Sequence, residues 1–437
     1  MASIEVVGQG FVGLTTTLLA ADAGHDVVGI EVDPARAAAL RAGQIPFAEP
    51  GVQEVLQQLQ SAGRIRVVGA GHSGHEPATL VIAVPTATLP DGSVDDRAVI
   101  SALDQFADPG RHELVIVRST LPPGHSTTLL DRFPDLAETY VYWPEFLNQG
   151  RALAETRHPD RVVVGAASPQ ATSLLKVLLK SFGFDHDLVC WHSVAEAEAV
   201  KQFSNAALAV NQVLGAEIAR LCEHSGLDAR AVLASVSRDA RLSRLLLNPS
   251  PPLVDSCLRK DLTALVAAGP RGESAMVLAA SLAQATAQRH EATRRVVRHV
   301  DALPSTASVL IVGAGFAAGV SDTKGSLLWD LLPALPNSHV AVWDPYAEQG
   351  AFDAMSPAVA VADLAAAAVA ADVIVVLVPH PEVYAVRWSS VLAGLARRGG
   401  VLLDYCAALA RQRVDDPLLR RLIHGLGFSS GCHLCAA

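Results

Sequence analysis

Cys257 stands in the run Val254-Asp255-Ser256-Cys257-Leu258-Arg259-Lys260-Asp261, about 245 residues beyond a glycine-rich run, Gly8-Gln9-Gly10-Phe11-Val12-Gly13. A thiolate adds to an aldehyde carbon and later departs as a good leaving group; a lysine and a carboxylate three and four residues on would favour the thiolate and supply a proton relay. The glycine spacing suits a dinucleotide. Gly8 permits a tight turn, Gly10 lets the backbone approach a pyrophosphate, and Gly13 allows a helix to pack closely. Glu31 follows at the end of the next β-branched run, where an acidic side chain binds ribose hydroxyls and repels a 2′-phosphate, which selects NAD over NADP. Both signals have plainer readings. A lone cysteine is more often a small buried hydrophobe, and a glycine loop can be only a structural turn. Together they point to oxidation of an alcohol to an acid in two hydride transfers.

Two further groups could do chemistry. Lys201 and Asn205, four apart on a helical stretch, share a face and could polarise a substrate oxygen or stabilise an oxyanion; alone, such a pair is as well a solvated helix edge. Gly313-Ala314-Gly315 looks like a second glycine turn. It lacks the third glycine, and Asp344, about 30 residues on, does not stand cleanly where a ribose contact should be, so a Rossmann-like domain without NAD is expected. Cys432-His433-Leu434-Cys435 resembles half a zinc site but has no second CxxC, and no metal is expected.

The elements that must position these groups read as α/β. Strand-like runs Val6-Val7, Asp26–Ile30, Leu80–Val84, Leu114–Val117 and Arg161–Val164 alternate with helical stretches, which predicts a parallel doubly wound sheet, an NAD-binding Rossmann domain over 1–192. Long proline-free helical stretches, Ala195 to Cys222 and Ala275 to Val300, form a central segment over 193–300 that carries Lys201, Asn205 and Cys257. Its apolar residues cover more than one face, which suggests a homodimer surface. From 301 to 437 a second strand-turn-helix series predicts a C-terminal Rossmann-like domain. A formal net charge of -10 gives no electrostatic reason to bind nucleic acid or an anionic membrane. The run from Pro357 to Pro379 contains Asp363 and Asp372 and reads as a helix and a buried strand rather than a membrane span. With no signal-like N-terminus and six cysteines in a large chain, thiols and a cytoplasmic setting are expected.

Taken together the motifs resemble the UDP-glucose/GDP-mannose dehydrogenase family along essentially the whole chain. The markers are the N-terminal glycine loop, Val84-Pro85-Thr86, Ser119-Thr120-Leu121-Pro122-Pro123-Gly124, Pro144-Glu145-Phe146-Leu147, Lys201-Gln202-Phe203-Ser204-Asn205, Ser256–Asp261 and Val342-Trp343-Asp344-Pro345. The resemblance implies oxidation of C6 of a nucleotide sugar to the carboxylate with two NAD. It implies that Cys257 captures the aldehyde as a thiohemiacetal that becomes a thioester. Lys201 and Asn205 would stabilise the oxyanion, and Asp261, Thr120 and Glu145 would activate and order water. The cofactor would lie on Gly8, Gly10, Phe11, Val12, Gly13, Glu31, Pro85, Thr86 and Thr120. The sugar nucleotide would meet Glu145, Phe146, Leu147, Lys201, Asn205, Lys260 and Lys324. The family points to a homodimer too.

The chain departs from the family where substrate is recognised. The family's glycine-rich loop before the cysteine is Pro251-Pro252-Leu253-Val254-Asp255 here; its lysine and arginine in the C-terminal domain are Ala317 and Lys324, and a second acidic residue is Gln149. Lysine cannot reproduce a bidentate guanidinium contact. The kept catalytic set and altered recognition set suggest an unusual sugar or nucleotide; the plainer reading is a divergent enzyme that acts on the ordinary substrate. Two other readings compete: a two-electron NAD-dependent alcohol or hydroxy-acid dehydrogenase of the 6-phosphogluconate dehydrogenase type, and a non-catalytic nucleotide-binding homologue. Cys257 and Trp343-Asp344-Pro345 argue against the first, and the retained Lys201, Asn205, Cys257 and Asp261 against the second.

Overall fold

The computed structural model describes residues 3–72, 78–240, 256–269, 275–304, 306–347, 358–406, 408–409 and 422–424. The chain divides into two compact units, Met1–Asn205 with Thr263–Gly269, and Ala206–Leu262 with Pro270–Ala437.

The first unit is built on strands β1 (Ser3–Val7), β2 (Asp26–Ile30), β3 (Ile65–Val68), β4 (Ala78–Ile82), a short hairpin of β5 (Ala87–Thr88) and β6 (Val94–Asp95), β7 (His112–Val117), β8 (Tyr140–Tyr142), β9 (Val162–Ala166) and β10 (Val189–His192). Its main sheet has the order β10-β9-β8-β7-β4-β1-β2-β3. The order reverses between β1 and β4, and the glycine loop leaves β1 beside that switch point, where open α/β sheets bind ligands. Alternate residues feed two layers: Ile4, Val6 and Val81 enter one apolar cluster, Val7, Leu80 and Ile82 the other. Strands buried on both faces read as continuous β-branched runs, which is why they stand out in the sequence.

The fully parallel sheet expected from the alternation needs one correction. β8 and β9 pair antiparallel, while every other strand pair in this sheet is parallel. Three-residue β8 is too short to register as a strand by periodicity. The strand expected over Leu80–Val84 ends at Ile82, because the Ser119 hydroxyl takes over the Val84 backbone, accepting from its N–H at 3.0 Å and donating to its carbonyl at 2.8 Å.

The helices of this unit are α1 (Phe11–Asp22), α2 (Pro34–Arg41), α3 (Val52–Ser61), α4 (Arg97–Phe106), α5 (His125–Arg132), α6 (Ala152–Arg157) and α7 (Pro169–Ser181). Helix α8 (Val194–His224) begins in the first unit and ends in the second. Ser193 and Glu196 form a capping box at its start: the Ser193 N–H and hydroxyl donate to Glu196 Oε2 at 2.8 and 2.7 Å, and Ser193 Oγ accepts from the Glu196 amide. Gly226, at φ +67°, ends it, with the Leu227 amide closing back on the Cys222 carbonyl at 2.8 Å.

The second unit continues with α9 (Ala229–Val236), α10 (Ser256–Ala268, whose last turns belong to the first unit) and α11 (Met276–Asp301). A second sheet contains β11 (Ser308–Val312), β12 (His339–Trp343), β13 (Ala358–Ala360), β14 (Val373–Val376), β15 (Val401–Asp404) and β16 (Ile423–His424), all parallel, in the order β13-β12-β11-β14-β15-β16. Helices α12 (Leu328–Ala334), α13 (Leu364–Ala370) and α14 (Trp388–Arg398) accompany it. The run between Pro357 and Pro379 is helix α13 and the wholly buried strand β14, preceded by β13. No helix among the described residues is long and apolar enough to cross a membrane.

Candidate active site

The glycine loop is built as its spacing requires. Gly8 has φ +85°, and a Cβ there would meet the Ala83 carbonyl oxygen at 2.6 Å. At Gly13 a Cβ would lie 1.8 Å from the Gly8 carbonyl oxygen, so only glycine lets α1 pack against the turn. Gly10 faces open space: a Cβ there would meet nothing within 4 Å. Helix α1, which starts with half-buried Phe11 and Val12, has no side-chain cap and no acidic residue in its first turn. Its free amides and positive dipole end suit a pyrophosphate. Glu31 is 3% exposed and reaches the loop: it accepts from the Gln9 amide at 3.2 Å and the Asp33 amide at 2.9 Å, and Arg36 lies 3.5 Å away. Pro85 and Thr86 follow the carboxyl end of the central strand β4, and half-buried Thr120 follows β7. These residues fit a nicotinamide dinucleotide.

Deeper in the same unit, Glu145, in the segment after β8, meets α8. Lys201 Nζ donates to Glu145 Oε1 at 3.0 Å, and the Leu147 amide donates to Oε2 at 2.6 Å. The Lys201 ammonium also lies 5.3 Å from the centre of the Phe146 ring. Asn205 is buried one turn further along the same helix face. Burial alone would raise the Glu145 carboxyl, but the Lys201 ammonium, the Leu147 amide and the Arg118 guanidinium outweigh it and hold the carboxyl below its ordinary value. Arg118 is itself buried, stacked 4.2 Å above Trp143, and burial lowers its guanidinium to about 10 against the opposing pull of Glu145. One carboxylate thus sits between two cations, and the set carries a formal excess of positive charge in a buried place. Such a set can stabilise developing negative charge on oxygen. Arg118 and Trp143 escape a motif reading; the available signal is an arginine directly after the apolar run of β7.

The second unit holds the cysteine. Cys257 is exposed in the first turn of α10, where helix amides favour a thiolate. Lys260 and buried Asp261 pair with each other, Nζ to Oδ1 2.9 Å. The Lys260 charge is therefore shared with Asp261 rather than reserved for the thiol. Lys324 is exposed, and its amide donates to Asp322 Oδ1 at 2.9 Å. The Pro251–Asp255 loop and the Cys432/Cys435 pair lie outside the described residues. Among the described residues no group of three or more His, Cys, Asp or Glu side chains could hold a metal.

The second glycine turn corrects one expectation. Asp344 does reach it, despite the longer spacing. Asp344 Oδ2 accepts from the Ala314 and Gly315 amides at 2.7 and 3.0 Å and pairs with His380 Nε2 at 3.1 Å; Oδ1 accepts from the Tyr346 and Ala347 amides. Burial opposes ionisation, but His380 and the two turn amides prevail and bring the carboxyl down to about 2. Those amides are spent on the protein's own carboxylate. A pyrophosphate would have to displace Asp344 to use them.

Three models of one family match consecutive parts of the chain. They are the NAD-binding domain (residues 2–183), the central domain (195–287) and the UDP-binding domain (310–411) of the UDP-glucose/GDP-mannose dehydrogenase family. The chain belongs to this family. Its cofactor is NAD, carried by the N-terminal domain. The chain is 31% identical over 372 residues, 82% of each sequence, to a UDP-glucose 6-dehydrogenase of Pseudomonas aeruginosa. It is 25% identical over 441 residues, 97% of this chain and 99% of the other, to a UDP-N-acetyl-D-mannosamine dehydrogenase of Pyrococcus horikoshii. Among solved structures, a UDP-glucose dehydrogenase from Pyrobaculum islandicum superposes with a TM-score of 0.82 at 27% identity, covering 98% of both chains.

Proposed function

We propose that the chain oxidises the C6 primary alcohol of a nucleotide sugar to the carboxylate. The observation that carries this reading is the buried Lys201–Glu145 pair beside Asn205, in a chain that also holds Cys257 at the start of a helix. Two NAD, bound in turn on the Gly8–Gly13 loop and Glu31, would each accept one of the two hydrides. Lys201 and Asn205 stabilise the alkoxide and later oxyanion character on the C6 oxygen. The Cys257 thiolate adds to the aldehyde carbon, and a proton delivered to the oxygen completes a thiohemiacetal. Loss of the second hydride from C6, together with the hydroxyl proton, leaves a thioester. Water, ordered by Glu145 and Thr120, gives up a proton toward Asp261 and adds to the thioester carbon; the C–S bond then breaks, which frees the Cys257 thiolate and releases the carboxylate product. The lowered carboxyl keeps Glu145 ionised at neutral pH, which suits it to orient water as a hydrogen-bond acceptor, while the same lowering makes it a weak base.

The altered recognition residues, Ala317 and Lys324, support a sugar or base other than those of UDP-glucose. A homodimer built on α8 also belongs to this reading. Phe203, Leu214 and Leu221 project apolar side chains along one line of that helix with exposures from 42% to 62%, and such a line favours burial against a second copy. The test is a panel of nucleoside-diphosphate sugars, including UDP-glucose and UDP-N-acetylmannosamine, assayed for NADH formation. NADH from at least one of them supports the reading. Silence across the panel, with NAD bound, overturns it.

A further inference from the structure

The loop that carries Thr120 is held to α8 by a side chain that has no place in the reaction outlined above. Glu198 is completely buried and lies one helical turn before Lys201. Its Oε2 accepts from the Gly124 amide at 2.6 Å, and its Oε1 accepts from the Ser126 amide at 2.8 Å and the Ser126 hydroxyl at 2.6 Å. Gly124 and Ser126 form the N-terminus of α5. That helix has no local cap, and Gly124 sits at φ +83°, a left-handed turn that carries the chain from Pro122-Pro123 into the helix. Glu198 therefore caps α5 from 74 residues away, its two oxygens accepting at the positive end of that helix; burial raises its carboxyl, and the Ser126 and Gly124 donors oppose that rise.

The rest of the loop is pinned from two other elements. The Ser119 hydroxyl holds the Val84 backbone at the end of β4, and the Leu121 amide donates to the Tyr142 hydroxyl on β8 at 3.2 Å. Ser126 Oγ also bonds the Tyr140 hydroxyl at 2.6 Å. Thr120 thus sits on a span fixed to the sheet before and after it, with Glu198 tying that span to α8. The helix that Glu198 grips the loop from is the one bearing Lys201 and Asn205.

We propose that Glu198 is a positioning residue: it sets the register of the Ser119–Gly124 loop, and with it Thr120, against the Lys201–Asn205 face of α8. This rests on the proposed reaction for its effect on rate, but the clamp itself does not. Displacing a reacting group by about 1 Å costs on the order of a hundredfold in rate, so the clamp should show in turnover rather than in affinity. Glu198→Gln keeps the length and one acceptor oxygen, but its amide nitrogen opposes one of the three donors. Glu198→Ala removes all three bonds.

The experiment uses the full chain. Hydrogen exchange followed by mass spectrometry reads the peptide spanning 119–126, and steady-state kinetics are measured on the nucleotide sugar that the parent oxidises. In Glu198→Gln the Gly124 and Ser126 amides should exchange at least about tenfold faster, and kcat should fall about 10–100-fold while KM for the sugar nucleotide stays within about threefold. Glu198→Ala should lose more of both. If Glu198→Ala does not fold, Ser126→Ala, which removes one of the three bonds, should lower kcat by a smaller factor with the same unchanged KM. Unchanged exchange in Glu198→Gln overturns the clamp. Faster exchange with kcat within about twofold of the parent shows that Glu198 only stabilises the fold, and overturns its positioning role. If the parent oxidises no nucleotide sugar, the exchange result still decides the clamp, and only the reaction is refuted.

Discussion

Replacing Lys201 with Met should separate the two roles of the Lys201–Glu145 pair. The side chains are 5% and 16% exposed and their charged atoms are 3.0 Å apart. At that distance, with an effective dielectric of about 20, the attraction is roughly 5.5 kcal/mol, offset in the parent by the cost of desolvating both ions. The Lys201→Met variant keeps the apolar stem but leaves the Glu145 carboxylate buried with, among the described residues, the Leu147 amide and Arg118 to compensate it. Losing one partner of such a pair typically costs about 3–5 kcal/mol.

The pH dependence has a definite sign. In the parent the folded Glu145 carboxyl lies below its ordinary value, so its contribution is present above the unfolded pKa and lost as pH falls through the folded one. In the variant the carboxyl rises above its unfolded value, so its penalty is greatest at high pH and fades as the group takes a proton. The stability gap between parent and variant must therefore narrow on acidification. Urea unfolding at about pH 8 and about pH 5 measures this gap, and the double variant Lys201→Met with Glu145→Gln should recover most of the stability and none of the turnover. A cost below about 1 kcal/mol at the higher pH, or a gap that does not narrow, would refute the reasoning.

Two further outcomes follow from particular contacts. The parent should use NAD in strong preference to NADP; in Glu31→Ser the like charge is gone and Arg36, now 3.5 Å from Glu31, is released toward a 2′-phosphate. The ratio of kcat/KM for NADP over NAD should then rise about 10–100-fold, and an unchanged ratio would remove Glu31 from the ribose site. Gln202, fully buried on α8, has no hydrogen-bond partner among the described residues for either polar atom of its amide. Replacing it with the similarly sized Leu should raise stability by about 1 kcal/mol in chemical unfolding, and a loss of stability would show that the amide is satisfied in solution.

Much of this site was legible because its signals are local. Gly13 is dictated by its approach to the Gly8 carbonyl within one turn, Gly8 by its positive φ, and Lys201 with Asn205 by the pitch of one helix. The long helices announced themselves by length and lack of proline. What escaped depends on register between distant segments. Counting residues from Gly313 sets Asp344 apart from the turn, yet the end of β12, beside the end of β11, brings it there; a longer connection changes the count without changing the register. Glu198 and Gly124 are joined only once β7, β8 and α8 are in place. The antiparallel pairing of β8 with β9 is fixed by a three-residue strand too short to carry a pattern. Arg118 belongs to no motif; only its stacking on Trp143 and its electrostatic pull on Glu145 give it a place in the site.

The central claim is the covalent passage through Cys257, and one measurement addresses it directly. NADH released per nucleotide sugar is counted to completion in the parent and in Cys257→Ser, with intact-protein mass spectrometry on acid-quenched samples. Two NADH per sugar and a thioester adduct on the parent, against one NADH with a stalled aldehyde or a trapped ester in the serine variant, is the result expected, because serine lacks the acidity and leaving ability of a thiolate. Two NADH per sugar from Cys257→Ser at near the parent rate would contradict it.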